Sequence, residues 1–374
     1  MAEQAFYTIT AAVTRAKGAP FALEPARIRA PKGDEVLVRI VATGMCHTDM
    51  IVRDQYYPVP LPAVLGHEGS GVVEAVGPLV QGLAVGDHVV LTYGYCGHCL
   101  SCGSGQAAYC QEFFGRNFSG ADPHGQSAIQ DEKGETLHDH FFAQSSFATY
   151  ALSRENNTVK VSTEAPLELL GPLGCGIQTG AGAVINSLKV TPGSSFAAFG
   201  AGAVGLSAVL AAQVAGATTI IAVDVVASRL ELALELGATH VVNSKETDPV
   251  AAIREITGSG VKFALESTGR PTVLRQAVDA LGLRGSVGVV GAPALGTTAE
   301  FDVNDLLLGG KTIRGIVEGD SVPQKFIPEL VNLYLQGRFP FDRLVKYYDF
   351  AQINQAAEDS EKGITLKPII RIGR

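Results

Sequence analysis

At 374 residues the chain is longer than one small core can organise, and usual domain sizes imply about two domains. A formal net charge of −8, with no basic arm at either end, argues against a nucleic-acid partner, which needs a positive face. Apolar residues make up 46% of the chain and charged ones 18%, so a sizeable core is expected. The opening MAEQAFYTITAAV lacks the basic-then-apolar pattern of a secretory signal, which points to a soluble, cytoplasmic protein.

Up to about residue 176 the pattern is one of short alternating strands between Gly, Pro and Asp, for example 35–41, 72–76 and 89–91. Within it, the polar, glycine-containing stretch 121–146 reads as a long surface loop. From about 177 to 317 the texture changes. Strands are predicted at 196–199, 220–223, 241–243, 263–265, 287–290 and 312–316. Helices are predicted at 205–215, 228–236, 249–257 and 272–281. This alternation describes an α/β unit with an open, doubly wound parallel sheet. Residues 190–223 carry no charge and would be long enough to span a membrane, but regular Gly and Pro favour a buried strand, glycine turn and helix. No membrane partner is expected. The segment beyond Glu318 has no core of its own and is expected to fold back on the first region, giving one domain from 1–176 with 319–374 and another from 177–318.

Four of the six cysteines form a C-x2-C-x2-C-x7-C run: Cys96, Cys99, Cys102 and Cys110. Without a secretory signal, persistent disulfides are not expected. Four clustered thiolates suit a closed tetrahedral structural zinc; an iron–sulfur cluster and four unligated thiols are the alternatives. The other cysteines stand apart, Cys46 in GMCHTDM and Cys175 in LGCGIQTG, with His67 in GHEGSG. A Cys2His set from distant segments matches a catalytic zinc with one open position, although each residue alone also reads as ordinary core. Gly200, Gly202 and Gly205 form a G-x-G-x-x-G turn after an apolar strand and before a helix, and Asp224 ends the next strand. The first two glycines let a pyrophosphate approach a helix N-terminus, and the third lets helix and strand pack closely. The Asp224 carboxylate can accept from ribose hydroxyls and would repel a 2′-phosphate, which favours NAD over NADP.

These residues resemble the zinc-containing medium-chain alcohol dehydrogenase family over essentially the whole chain: GHEGSGVVEAVG (66–77), the cysteine run, LGCGIQTGAGAV (173–184) and the glycine turn with its aspartate arrive in the family's order. GDEVLVRI, GCGIQTGAGA and EGDSVPQKFIPELV (318–331) look most like bacterial aryl-alcohol (benzyl alcohol) dehydrogenases and their relatives acting on allylic terpene alcohols. The resemblance implies a GroES-like, mostly-β catalytic domain beside the dinucleotide domain, two zinc ions per subunit, NAD, and a homodimer or homotetramer paired through the dinucleotide domain. It implies that Cys46, His67 and Cys175 hold the catalytic zinc, with Glu68 as a transient ligand and Asp49 bonded to His67. Thr48 would bond the alcohol hydroxyl, Arg229 would lie near the adenosine ribose, and His47 and Arg371 near the pyrophosphate. Where many members carry a relay histidine this chain has Ile51, so the proton path would run from Thr48 through the nicotinamide ribose to His47 or directly to water. Tyr93, Phe142 and Val317 are candidates for an apolar wall that favours a flat aromatic or allylic primary alcohol, oxidised to its aldehyde. Aliphatic alcohols, a glutathione–formaldehyde adduct, or an inactive nucleotide-binding scaffold are the rival readings.

Overall fold

The computed structural model describes residues 6–373, which form two compact units. The first comprises the chain up to Cys175 together with Val322–Leu335 and the stretch from Asp342 onward. The second comprises Gly176–Ser321 and Gln336–Phe341.

The first unit is built on the strand Glu35–Gly44. Val36, Val38 and Ile40 alternate along it and point into one core with Val73, Val89, Leu91 and Ala151. It pairs antiparallel with Glu68–Val76, with Tyr150–Arg154 and with the C-terminal strand Lys367–Arg371. His88–Leu91, Thr158–Lys160 and Val345–Asp349 complete this seven-stranded sheet. A second, five-stranded sheet runs Ala63–Val64, Phe6–Thr14, Ala22–Arg29, Ile129–Asp131 and Thr136–Leu137 in spatial order.

The stretch 121–146 corrects the sequence reading. It supplies two strands of that second sheet, and from Asp139 to Ser146 every residue is buried. Its polar side chains misled because they bond inward. Asp139 accepts from the N–H groups of Ala128 and Ile129, and Ser145 donates to the Val64 carbonyl.

In the second unit six parallel strands lie in the order His240–Asn243, Thr219–Asp224, Ser195–Phe199, Val261–Glu266, Leu281–Val289 and Thr312–Gly315. This is the doubly wound Rossmann order, which reverses beside Ser195–Phe199. The central strand SFAAF is unbroken apolar sequence because both faces are covered. The helix Ala203–Val214 is buried from Gly205 through Ala212, which accounts for the charge-free run. No helix among the described residues is long and apolar enough to cross a membrane. Gln336–Phe341, which the sequence texture grouped with the first domain, belongs to this unit; its Phe339 and Phe341 are fully buried.

One buried ion pair braces the edge of the first unit. The Arg29 guanidinium meets Glu35 through Nη1 at 2.6 Å and Nη2 at 2.8 Å, and Lys32 N–H donates to the same carboxylate. Burial would raise the Glu35 pKa, but the Arg29 and Lys32 donors bring it below the ordinary carboxylate value. Its stabilisation is therefore full above the unfolded pKa of about 4.3 and is lost as pH falls through the lower folded value. Glu35→Gln should destabilise the protein by about 3 kcal/mol at pH 7. Urea unfolding should show that gap narrowing below pH 4, and an undiminished gap at pH 3.5 would dismiss the assigned ionisation.

Candidate metal centre and dinucleotide cleft

Cys46 caps the helix His47–Arg53, and the third helical residue, Asp49, folds back to accept from the Cys46 N–H at 2.8 Å. The other Asp49 oxygen meets His67 Nδ1 at 2.9 Å and the Gly66 N–H at 3.2 Å. Asp49 and His67 are fully buried. This pairing assigns the proton to Nδ1 and leaves Nε2 as the lone-pair nitrogen, and Nε2 is buried with no hydrogen-bond partner. Donor atoms of Cys46, His67, Glu68 and Cys175 lie within 4.8 Å of one another. An orphaned imidazole nitrogen among two thiols and a carboxylate fits a zinc ion.

Local backbone chemistry explains how distant segments meet. Cys175 follows the turn Gly171–Gly174, which presses onto the sheet because a Cβ on Gly174 would lie 2.0 Å from the Leu91 carbonyl oxygen. Thr92 Oγ1 donates to the Gly174 carbonyl at 2.7 Å. Gln144, which sequence reasoning missed, accepts from Gly69 N–H and donates to the His67 carbonyl at 3.0 Å. The Cys46 thiol is held well below its ordinary pKa, first by the Cys175 hydrogen bond against the opposing effect of burial. Burial pushes the His67 pKa down, but Asp49 overrides it and holds the ring well above the usual histidine range. Protons therefore compete with a metal at Nε2.

Of the remaining candidates, Thr48 Oγ1 lies 3.8 Å from Cys46 Sγ, while His47 is exposed on the same helix. Phe142 stacks on the His67 ring, with centroids 4.5 Å apart and planes at 26°. It sits there in a left-handed conformation, φ 51°, within a stretch where His140, Ala143 and Ser145 share positive φ. Tyr93 is fully buried, its ring centroid 5.8 Å from that of Phe113. Val317, in the second unit, is half-buried. Arg371 pairs with Glu168 at 3.0 and 3.1 Å and lies over the Tyr347 ring at 4.0 Å. The cation beside the Cys2His cluster is Lys367, bonded to both Glu68 oxygens. A lysine inside the apolar run ITLKPIIRI was the available signal for it.

The second cysteine cluster, Cys96, Cys99, Cys102 and Cys110, also gathers its sulfurs within 4.8 Å. The Cys96 N–H points at Cys110 Sγ and the Cys99 N–H at Cys96 Sγ, each at 3.3 Å. The backbone N–H groups of Gln111 and Cys102 lower Cys99 to about 6. These donors favour the thiolate at Cys99, whereas burial pushes Cys102 up to about 12 and raises Cys110, so a zinc ion would be needed to hold all four sulfurs as thiolates.

In the second unit a cleft of about 280 Å³ is lined by Gly200, Gly202, Asp224, Arg229, Ser267 and Thr268, among others. Gly200 adopts φ +99°, and a Cβ on Gly205 would lie 1.8 Å from the Gly200 carbonyl oxygen. A Cβ on Gly202 would meet nothing, so this glycine leaves the N-terminus of Ala203–Val214 open to the cleft. Asp224 is braced by the N–H groups of Ala201, Val225 and Val226. Arg229 Nε is buried without a hydrogen-bond partner at the same cleft.

Two family models match this chain: an alcohol dehydrogenase GroES-like domain over residues 32–163 and a zinc-binding dehydrogenase over residues 203–335. Geraniol dehydrogenase of Castellaniella defragrans is 50% identical over 368 residues, covering 98% of each chain. The crystal structure of an alcohol dehydrogenase zinc-binding domain protein from Burkholderia ambifaria matches with a TM-score of 0.98 at 76% identity, covering 99% of this chain and 100% of that one. Benzyl alcohol dehydrogenase from Acinetobacter calcoaceticus matches with a TM-score of 0.96 at 72% identity, covering 98% and 100%.

Metal analysis checks the two clusters separately. The intact protein should carry two zinc ions per chain, and Cys46→Ala and Cys99→Ser one each. A chelator should strip the Cys46 cluster faster at pH 6 than at pH 8, because protons compete for its ligands.

Proposed function

This chain belongs to the zinc-containing medium-chain alcohol dehydrogenases, and from that premise we propose that it oxidises an aromatic or allylic primary alcohol to the aldehyde with NAD. The observation that carries the substrate class is the Phe142 ring stacked on His67. Phe118 packs edge-on to Phe142, and Phe113 and Phe141 flank it, so the imidazole is backed by an aromatic surface. Flat rings and allylic groups gain dispersion and offset-stacking contact with such a surface, whereas a short aliphatic chain gains little. The two similar proteins named for benzyl alcohol and geraniol are in keeping with this class.

When bound, zinc supplies Lewis acidity that makes the alcohol hydroxyl more acidic, and the nicotinamide supplies the hydride acceptor. Cys46, His67 and Cys175 hold the metal, with Asp49 fixing the His67 tautomer. Thr48 Oγ1 accepts the hydrogen bond of the alcohol and relays its proton, giving up its own hydroxyl proton as it receives that of the alcohol. Ile51 cannot pass that proton on, which leaves the exposed His47 or water as the outlet. Gly200, Gly202 and the helix N-terminus receive the pyrophosphate, and the Asp224 carboxylate selects the 2′-hydroxyl of NAD. Initial rates of NAD and NADP reduction with benzyl alcohol, geraniol, hexanol and ethanol test the reading. Benzyl alcohol or geraniol with NAD should give the highest specificity constant by at least about tenfold, a difference of roughly 1.4 kcal/mol in transition-state binding. Faster aliphatic turnover would overturn the substrate class, and equal use of NADP would remove the role given to Asp224.

The protein also self-associates, in this reading, through the dinucleotide unit. The sheet ends at the edge strand Thr312–Gly315, and the preceding helix Val303–Gly309 leaves Val303, Leu307 and Leu308 at least 72% exposed. Leu308→Glu should convert the oligomer to monomer in light scattering; an unchanged mass would place the interface elsewhere.

A further inference from the structure

Lys367 is a charged side chain in the interior, 3% exposed, on a strand flanked by apolar residues. Its position follows from the sheet. Gly44, the last residue of Glu35–Gly44, stands opposite Glu68 on one edge and opposite Ile369 on the other. Gly44 has no side chain to intervene: a Cβ there would lie 2.0 Å from Glu68 Oε2. Through this gap Lys367 Nζ reaches Glu68 Oε1 at 2.8 Å and Oε2 at 3.0 Å, and donates to the Met45 carbonyl at 3.3 Å.

The Glu68 carboxylate belongs to the same cluster of donor atoms as Cys46, His67 and Cys175. A carboxylate oxygen is a good zinc ligand, and four protein ligands make a closed structural site rather than a catalytic one. A buried carboxylate also needs a cation, and the Lys367 ammonium serves it here through both carboxylate oxygens. We propose that Lys367 is a positioning residue: by holding both Glu68 oxygens it keeps the carboxylate off the catalytic zinc and the fourth metal position open to the alcohol. The proposal rests on the assignment of Cys46, His67 and Cys175 as the zinc ligands.

The test uses the full-length protein with cobalt(II) in place of zinc, and imidazole as the exchangeable ligand. In Lys367→Met, Glu68 turns to the metal. Imidazole binding, read from the cobalt d–d spectrum, should weaken by about tenfold or more, in the range typical of altering a group that orients a metal ligand. A chelator should remove the metal more slowly than from wild type, whereas a lysine that merely braced the fold would on removal loosen the site and speed release. Lys367→Arg should bind imidazole as wild type does. The double variant K367M/E68Q removes both buried charges and should also restore it, since an amide is a poor zinc ligand. Wild-type imidazole affinity in Lys367→Met, or weak binding that persists in the double variant, would overturn the role of Lys367. A Cys46→Ala protein that still holds two metals would instead overturn the ligand assignment, and the proposal with it. If Lys367→Met does not fold, the double variant and Lys367→Arg decide the matter, because weak imidazole binding in either contradicts the proposal.

Discussion

The Asp49–His67 hydrogen bond is the constraint on which the metal centre turns. One carboxylate caps the helix that carries Cys46 and Thr48, orders the Gly66 backbone and sets the His67 tautomer. A single buried side chain thereby links two segments that are far apart in sequence and directs both at one point. Because Asp49 is fully enclosed, its charge acts undiluted by solvent, and the lone pair on Nε2 has nowhere to turn except the donor cluster.

Around that pair the backbone works by close approach. Gly44 and Gly174 allow chain segments to touch where any side chain would collide. The same device recurs in the second unit, where Gly205 lets its helix pack against the turn at Gly200. Both halves of the proposed chemistry thus rely on glycine where two backbones meet, and on rigid strands or helix ends to aim the reactive groups.

Polarity and burial part company in the stretch 121–146. Its composition is that of a loop, yet its later half lies inside, held by side-chain to backbone hydrogen bonds from Asp139, Gln144 and Ser145. That burial, with the left-handed backbone at Phe142, puts an aromatic ring against the His67 imidazole. Strain of this kind persists only where surrounding contacts over-determine it.

Spacing and local pattern alone made legible the glycine turn with Asp224, the four-cysteine cluster and the alternation of strands and helices, because each is a property of neighbouring residues. Cys46, His67 and Cys175 matched a Cys2His set from their residue types but read equally as ordinary core, and the family's motif order is what favoured the set, since nothing local says that three separate segments converge. What Lys367, Gln144 and Arg371 bind lay beyond the sequence, although the lysine itself stood out inside ITLKPIIRI. Their partners are 299, 77 and 203 residues away, and only strand register and burial decide which charge meets which. A one-dimensional pattern records which faces are apolar. Which buried carboxylate receives which buried cation is settled by tertiary packing, where an unpaired charge costs too much to leave.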